Sequence, residues 1–155
     1  MILSALMPAN ATVIRAALHT GLRVGDVLSL KTDTLKPRFW ITEQKTGKRK
    51  MVALPKKLYE EMRAGAGDIW VFPGRDPEKH RTRQAVWVDV KRAAKAYRMP
   101  QNVAPHSMRK LYAVRLFKKY GSIEKVQKAL NHNDIATTMI YAMADRIIDN
   151  LHLMP

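Results

Sequence analysis

The segment from residue 130 to residue 141 constrains the chain more than any other, because it joins a polar turn to a short apolar helix. It reads Leu-Asn-His-Asn-Asp-Ile-Ala-Thr-Thr-Met-Ile-Tyr. Asn133 or Asp134 suits the start of a helix, since its side-chain oxygen can accept from the free N–H groups of the first turn. The apolar side of this helix is formed by Ile135, Met139 and Ile140. The segment therefore puts His132 in the turn and Tyr141 at the end of the helix, where a lone tyrosine would ordinarily be a packing residue.

The charge of the chain is strongly positive. Its 28 lysines and arginines stand against 13 acidic residues and give a formal net charge of +15 at pH 7. Such a field attracts polyanions, most often nucleic acid and less often an anionic membrane surface. No apolar run approaches the roughly 18 residues that span a bilayer, and the first residues lack the basic region of a signal peptide. Because the chain also has no cysteine, which suits a reducing compartment, we expect a cytoplasmic nucleic-acid-binding protein without a membrane partner.

The spacing of apolar residues predicts a mostly helical chain with one small sheet. Helices are predicted over 10–19, 24–30, 55–63 and 82–98, from Pro105 to the residue before Gly121, and from Ser122 onward. Strands are predicted over 38–43, 49–54 and 69–72, the first two joined as a hairpin by a glycine-containing turn. We therefore predict an α+β fold, mostly α-helical, in which helices pack with an antiparallel sheet of about three strands. Its length of 155 residues is that of one domain.

The helix predicted over 82–98 has two distinct faces. The inward residues are Val86, Val90, Ala93, Ala94 and Tyr97. The outer face carries Arg83, Lys91, Arg92 and Lys95. A charged face is typical of a solvated surface, but in so basic a chain it can equally lie along phosphates. These four residues and Lys48 are therefore candidate DNA-binding residues.

Three further segments carry residue types that can act on a phosphate. Residues 20–26 read Thr-Gly-Leu-Arg-Val-Gly-Asp, residues 44–48 read Gln-Lys-Thr-Gly-Lys, and residues 106–109 read His-Ser-Met-Arg. Together with the segment 130–141, in this order, they resemble the catalytic domain of the tyrosine recombinases of the phage-integrase type. The resemblance runs from about residue 10 to about residue 145.

The resemblance implies a nucleophile and two arginines. Tyr141 would form a 3′-phosphotyrosyl bond with DNA, and Arg23 and Arg109 would hold the phosphate. A guanidinium offers two parallel N–H donors, a geometry that lysine cannot copy. Since these groups would neutralise the charge that Mg²⁺ neutralises elsewhere, we expect no metal ion and no cofactor.

The resemblance also implies the remaining roles. Lys45 would protonate the leaving 5′ oxygen, with Lys48 in the same turn as its rival. His106 would act as a hydrogen-bonding or general-base group near the phosphate, and His132 would donate to a non-bridging oxygen. Asp26 stands where the family has an acidic residue that orients the arginines and histidines.

The sequence departs from the family pattern at one position beside the second histidine. The family usually has Leu-Gly-His, whereas this chain has Asn131 in place of the glycine. If the glycine of the family adopts a positive φ, asparagine is the residue that tolerates that region next best.

The resemblance sets expectations for the two ends of the chain. Relatives carry an N-terminal core-binding domain, and nothing before residue 10 could form one, so residues 1–155 are expected to be a single catalytic domain. Residues 144–155 read as an amphipathic tail with Ile147, Ile148, Leu151 and Met154 on its apolar side. The resemblance implies that this tail docks on a neighbouring protomer in a homotetramer on double-stranded DNA, the free chain being a monomer.

The leading interpretation is a site-specific recombinase that recombines or integrates DNA by strand cleavage and rejoining. A DNA-binding remnant or regulator that cannot recombine is the alternative from a different class. A type IB topoisomerase-like enzyme would share the same chemistry. The sequence leaves these alternatives open.

Overall fold

A computed structural model describes residues 2–98 and 105–131, and within these ranges every regular element except one hairpin is helical. A short 3-10 helix, Ile2–Ala5, precedes the first α-helix. The elements are α1 (Pro8–Thr20), α2 (Val24–Leu28), β1 (Arg38–Thr42), β2 (Arg49–Ala53), α3 (Lys56–Ala64), α4 (Arg83–Ala96), α5 (Pro105–Tyr120) and α6 (Ile123–Leu130). The predicted fold class, α+β and mostly α-helical, is confirmed. The loop predicted near residue 100, the helix leading to Tyr141 and the tail 144–155 lie outside the described residues.

The core surrounds α1, which packs against α2, α3 and α5. The four residues of α1 predicted to face inward are all buried: Val13, Ile14, Ala17 and Leu18. None of the helices within the described ranges has the length and apolar content needed to span a bilayer. The burial of α1 fixes its C-terminal end, from which the chain turns toward α2.

The end of α1 requires a glycine for two independent reasons. Gly21 has φ = 69°, and its N–H donates to the carbonyl of Ala17 over 2.9 Å, which closes the helix. A Cβ at this position would also overlap the ring of Tyr112 on α5. The absent side chain therefore lets α5 approach α1 closely, beside the residue that precedes α2, Arg23.

Side chains and one asparagine set the ends of the later helices. Thr82 accepts from the N–H of Ala85 at the start of α4, and Ser122 accepts from the N–H of Lys125 at the start of α6. The residue after α6, Asn131, has φ = 53°. Asparagine tolerates this left-handed region better than most residues other than glycine.

The sheet has two antiparallel strands within the described residues. Trp40 lies opposite Met51, and Phe39 lies opposite Val52 on the buried side. At the turn, Gly47 has φ = 65° and its N–H donates to the carbonyl of Glu43 over 2.8 Å. The predicted hairpin is confirmed.

The third strand predicted over 69–72 is wrong. Its backbone bonds to the segment after α2 rather than to the hairpin. The N–H of Val71 donates to Leu30 over 3.0 Å, and the carbonyl of Ile69 accepts from Thr32 over 3.0 Å. Pro73 follows at once and has no N–H to extend a ladder. The result is an isolated bridge between Lys31 and Trp70.

One predicted inward residue is also exposed. Val86, Val90, Ala93 and Ala94 are buried as predicted, but Tyr97 is 47% exposed. It follows the last turn of α4, and its hydroxyl pairs with Oγ of Ser4 over 3.1 Å. The phenol thereby reaches solvent while its ring lies beside the 3-10 helix.

We predict that Gly21→Ala lowers the free energy of unfolding by about 2–4 kcal/mol, because it combines left-handed strain with overpacking against Tyr112. Gly121→Ala is the matched control: Gly121 also follows a helix and has φ = 62°, but nothing lies within 4 Å of the added carbon. Its cost should be only about 1–2 kcal/mol. Urea unfolding of both variants measures the difference, and equal losses would contradict the packing argument.

Candidate active site at the arginine pair

Arg109 is the most deeply enclosed cation of the described chain. Its side chain is 2% exposed, although it is among the largest in the core. Its Nη1 donates to the carbonyl of Gly21, and its Nη2 donates to the carbonyl of Leu130. Carbonyls at a helix end lack partners within the helix and carry the negative end of its dipole, so a guanidinium there is favourable. Arg109 therefore joins the ends of α1 and α6.

Arg23 and Arg109 converge on one carboxylate, that of Glu43. Oε2 of Glu43 accepts from Nη1 of Arg23 over 2.9 Å, and Oε1 lies 3.8 Å from Nη1 of Arg109. Glu43 is fully buried, whereas the side chain of Arg23 is 23% exposed. The structure thus brings together two arginines that the sequence predicted from separate segments.

Glu43 was not predicted as a site residue, although the sequence carries a signal for it. In a strand, residues two apart share a face. Glu43 continues the face of Phe39 and Ile41, the buried and half-buried residues of β1. An acidic residue at that register is predicted to point inward, where it needs a cationic partner.

Asp26, predicted to orient the arginines and histidines, contacts the hairpin. It is buried in the first turn of α2, and its Oδ1 accepts from the backbone N–H of Gln44 over 2.9 Å. This bond fastens the base of the hairpin turn beside Arg23. The carboxylate that contacts both guanidinium groups is that of Glu43.

The two lysines of the hairpin turn lie differently. Lys45 is exposed, while Nζ of Lys48 donates to the carbonyl of Asn131 over 3.4 Å. Lys48 therefore reaches the end of α6, one residue before His132. Thr46, between the two lysines, donates from its hydroxyl to Oε2 of Glu43 over 3.0 Å.

A third lysine, Lys50 on β2, was not predicted as a site residue. Its Nζ donates to the carbonyl of Thr20 over 2.6 Å and lies 5.3 Å from the centre of the Tyr112 ring. Burial, which disfavours the charged ammonium, and the neighbouring charge of Arg109 together lower the pKa of Lys50 to about 8. With Lys50 protonated, the cluster holds three cations (Arg23, Arg109, Lys50) and two carboxylates (Glu43, Asp26), a net charge of +1 that complements one phosphodiester.

The remaining predicted catalytic residues fall at or beyond the edge of the described chain. His106 belongs to the first turn of α5, three residues before Arg109. His132 and Tyr141 lie outside the described residues.

The basic face of α4 divides into two kinds of residue. Arg83 and Lys95 are exposed, and Nζ of Lys91 lies 5.7 Å from the centre of the Trp87 ring. Nε of Arg92 donates to Oδ1 of Asp89 over 3.0 Å, and its Nη2 donates to the carbonyl of Ala5. Arg92 thus ties α4 to the 3-10 helix, so fewer of its donors are available to DNA than those of an unattached arginine.

The architecture is that of the tyrosine recombinases. The structure is similar to a lambda integrase fragment (75–356) bound as a dimer to a COC′ core site, with a TM-score of 0.72 at 19% identity, over 95% of this chain and 54% of that one. It is also similar to the XerH site-specific recombinase bound to difH substrate before cleavage, with a TM-score of 0.72 at 20% identity, over 93% of this chain and 45% of that one. At such identities the likeness establishes the fold alone.

The sequence comparisons define the family. Residues 3–146 match the model of the phage integrase family. Tyrosine recombinase XerD of Rhizobium meliloti (strain 1021) is 33% identical over 133 residues, covering 79% of this chain and 43% of the relative. Tyrosine recombinase XerC of Xanthomonas campestris pv. campestris (strain B100) is 31% identical over 134 residues, covering 81% and 41%. The chain belongs to the phage integrase family, and it spans less than half the length of these two relatives.

We predict a pH-dependent stability contribution from Lys50. Its pKa of about 8 in the folded state lies below the roughly 10.4 of an unfolded lysine, so the unfolded chain binds more protons between these values. The free energy of unfolding should therefore rise with pH through this window. The wild type minus Lys50→Met difference should increase by up to about 3 kcal/mol from pH 7 to pH 10.5.

Urea unfolding of both proteins across this range measures the difference, in which the other titrating groups cancel. A difference that does not change with pH would show that Lys50 keeps an ordinary pKa in the fold.

Proposed function

We propose that this chain is the catalytic part of a site-specific recombinase, which breaks and rejoins double-stranded DNA through Tyr141. The observation that carries the proposal is the convergence of Arg23 and Arg109 on one buried carboxylate. Two guanidinium groups from separate segments, both in contact with the same carboxylate, suit a phosphodiester. The relatives' names and the DNA-bound neighbours support the same function.

The proposed reaction conserves the energy of the phosphodiester. The phenol oxygen of Tyr141 attacks the phosphorus, a 3′-phosphotyrosyl bond forms, and the bond to the 5′ oxygen breaks. Lys45 gives a proton to the departing 5′ oxygen, which leaves as a hydroxyl. A 5′ hydroxyl from another strand can reverse these steps, so rejoining needs no ATP, and the proposed reaction uses no metal ion or cofactor.

The arginines supply electrostatic stabilisation where charge develops. Attack at phosphorus places additional negative charge on the non-bridging oxygens, and fixed guanidinium donors stabilise that charge without reorganising. In this proposal His132 donates to one of the same oxygens, and His106 acts as a hydrogen-bonding or general-base group near the phosphate. Asp26, whose Oδ1 also accepts from the backbone N–H of Gln44, would orient the arginines and histidines.

The proposed setting follows from the charge and from the family. The net charge of +15 would attract the DNA backbone. The residues proposed to contact it are Lys48, Arg83, Lys91, Arg92 and Lys95. We propose a monomer in the free state, a homotetramer on DNA joined by the tail 144–155, and a cytoplasmic location.

We predict that Tyr141→Phe abolishes covalent attachment to a nicked suicide duplex and leaves DNA binding almost unchanged, because it removes one oxygen. Denaturing electrophoresis detects the adduct, and peptide mapping locates it. Tyr59→Phe, Tyr97→Phe, Tyr112→Phe and Tyr120→Phe are the matched controls and should retain the adduct. Mapping to any of those four tyrosines would overturn the assignment.

The same assay separates the alternatives. A wild-type chain that binds DNA but forms no adduct would support the non-recombining regulator. Relaxation of a supercoiled plasmid without a recognition site would support the topoisomerase-like enzyme.

We predict that sulfur in place of the bridging 5′ oxygen restores cleavage to Lys45→Ala. A thiolate leaves without a proton, since thiols have a pKa near 8.5, whereas an alkoxide needs one. Arg23→Ala and Arg109→Ala should not be restored, because the proposed contacts of these arginines are to non-bridging oxygens.

Two control variants sharpen the choice of lysine. Lys48→Ala should be nearly normal on the oxygen substrate. Lys50→Met tests the lysine whose lowered pKa suits proton donation. If sulfur restores cleavage to Lys48→Ala or Lys50→Met while Lys45→Ala stays inactive, the lysine replaced in the restored variant is the general acid. If sulfur restores cleavage to none of the three variants, the hairpin only holds DNA.

A further inference from the structure

We infer that Glu43 is a positioning residue, which fixes the two arginines relative to each other and connects them to the lysine-bearing hairpin turn. The inference deepens the proposed function and rests on it. Glu43 would act through its neighbours, without touching the substrate.

The burial of Glu43 makes its ion pairs obligatory. A carboxylate enclosed in a protein costs several kcal/mol unless it is paired and hydrogen-bonded. Its Oε2 receives two donors, Nη1 of Arg23 at 2.9 Å and the hydroxyl of Thr46 at 3.0 Å. Its Oε1 faces Nη1 of Arg109 at 3.8 Å. The enclosed carboxylate therefore depends on both guanidinium groups for its compensation.

Glu43 also relieves repulsion inside the cluster. Arg23, Arg109 and Lys50 are three cations in a partly enclosed space, where like charges interact more strongly than in water. The pKa of Lys50 registers this: the charge of Arg109 lowers it, and the charge of Glu43 raises it. Oδ1 of Asp26 accepts from the backbone N–H of Gln44. The carboxylate in contact with both arginines is that of Glu43.

The exposure of Arg23 shows how Glu43 can hold this arginine and still leave part of its side chain accessible. A guanidinium has five N–H donors. The ion pair with Glu43 occupies Nη1 of Arg23, and the side chain of Arg23 remains 23% exposed. The carboxylate therefore holds Arg23 from its buried side while part of the Arg23 side chain remains exposed.

The hairpin turn is built on the same residue. The N–H of Glu43 donates to the carbonyl of Lys48 over 3.0 Å, and its carbonyl accepts from Gly47 over 2.8 Å. With the Thr46 hydroxyl on its carboxylate, Glu43 fixes the turn through both backbone and side chain. A displacement of the carboxylate would move the arginines and the turn lysines together.

The test is Glu43→Gln in the whole chain, which keeps the shape and removes the charge. Single-turnover attachment to the nicked suicide duplex, at saturating DNA, should fall by about 10- to 100-fold. DNA affinity at constant salt should change little, because Glu43 is buried. Thr46→Val is the matched control: it removes one hydroxyl from the same oxygen, keeps the carboxylate, and should cost much less.

A neutral substrate separates positioning from a general folding defect. When a methyl group replaces one non-bridging oxygen at the cleavage site, the phosphate loses its charge and depends less on the guanidinium groups. The loss caused by Glu43→Gln should shrink on this methylphosphonate. An equal loss on both substrates would show that Glu43 serves only the fold. Glu43→Asp is the second variant, which keeps the negative charge on a shorter side chain. If Glu43→Gln does not fold, Glu43→Asp should show the same substrate-dependent loss of cleavage.

A readout without DNA cleavage keeps the inference apart from the proposed function. In the ¹⁵N-labelled free protein, the Nε–Hε signals of Arg23 and Arg109 should both shift in Glu43→Gln, and the signal of the distant Arg15 should stay in place. This result is expected even if the wild-type chain forms no adduct, in which case the proposed function fails and the positioning role stands. Unchanged arginine signals would overturn the role of Glu43.

Discussion

The organisation of this molecule depends on the burial of a guanidinium between two helix ends. The charged guanidinium of Arg109 needs acceptors to compensate its burial, and it finds them in the carbonyls of Gly21 and Leu130, with Glu43 near by. Each carbonyl belongs to a helix end that would otherwise need water. The arginine and the helix ends therefore satisfy one another, and removal of any one of these groups leaves a buried polar group without a partner.

This arrangement explains why the site lies where three local backbone structures meet: the end of α1, the hairpin turn and the end of α6. Gly21 ends α1 and lets the chain turn to Arg23; the hairpin returns Glu43 to the same place; and Asn131 ends α6 beside the carbonyl that Arg109 contacts. None of these local structures forms the site alone. Their common feature is a backbone turn that leaves carbonyls or a carboxylate directed at a cation.

The predictable part of the fold was the part decided by nearest neighbours along the chain. Apolar spacing located α1, α4 and the hairpin. The segment 69–72 was misread because its apolar run suits a strand, while its actual partner follows α2. Tyr97 was wrongly predicted to face inward, because the spacing of apolar residues does not show where a helix ends. Glu43 and Lys50 were missed because their partners lie in distant segments, and pairing across such distances cannot be read from spacing.

The close approach at Gly21 has a consequence for how the sequence can vary. The ring of Tyr112 fills the volume that a side chain at position 21 would occupy, so the two positions share one space. Asparagine could adopt the backbone angle at position 21 but would still meet the ring. Among relatives with this same approach of α5 to α1, a larger residue at position 21 should accompany a smaller one at position 112. The fold should therefore tolerate a larger residue at position 21 only together with a smaller residue at position 112.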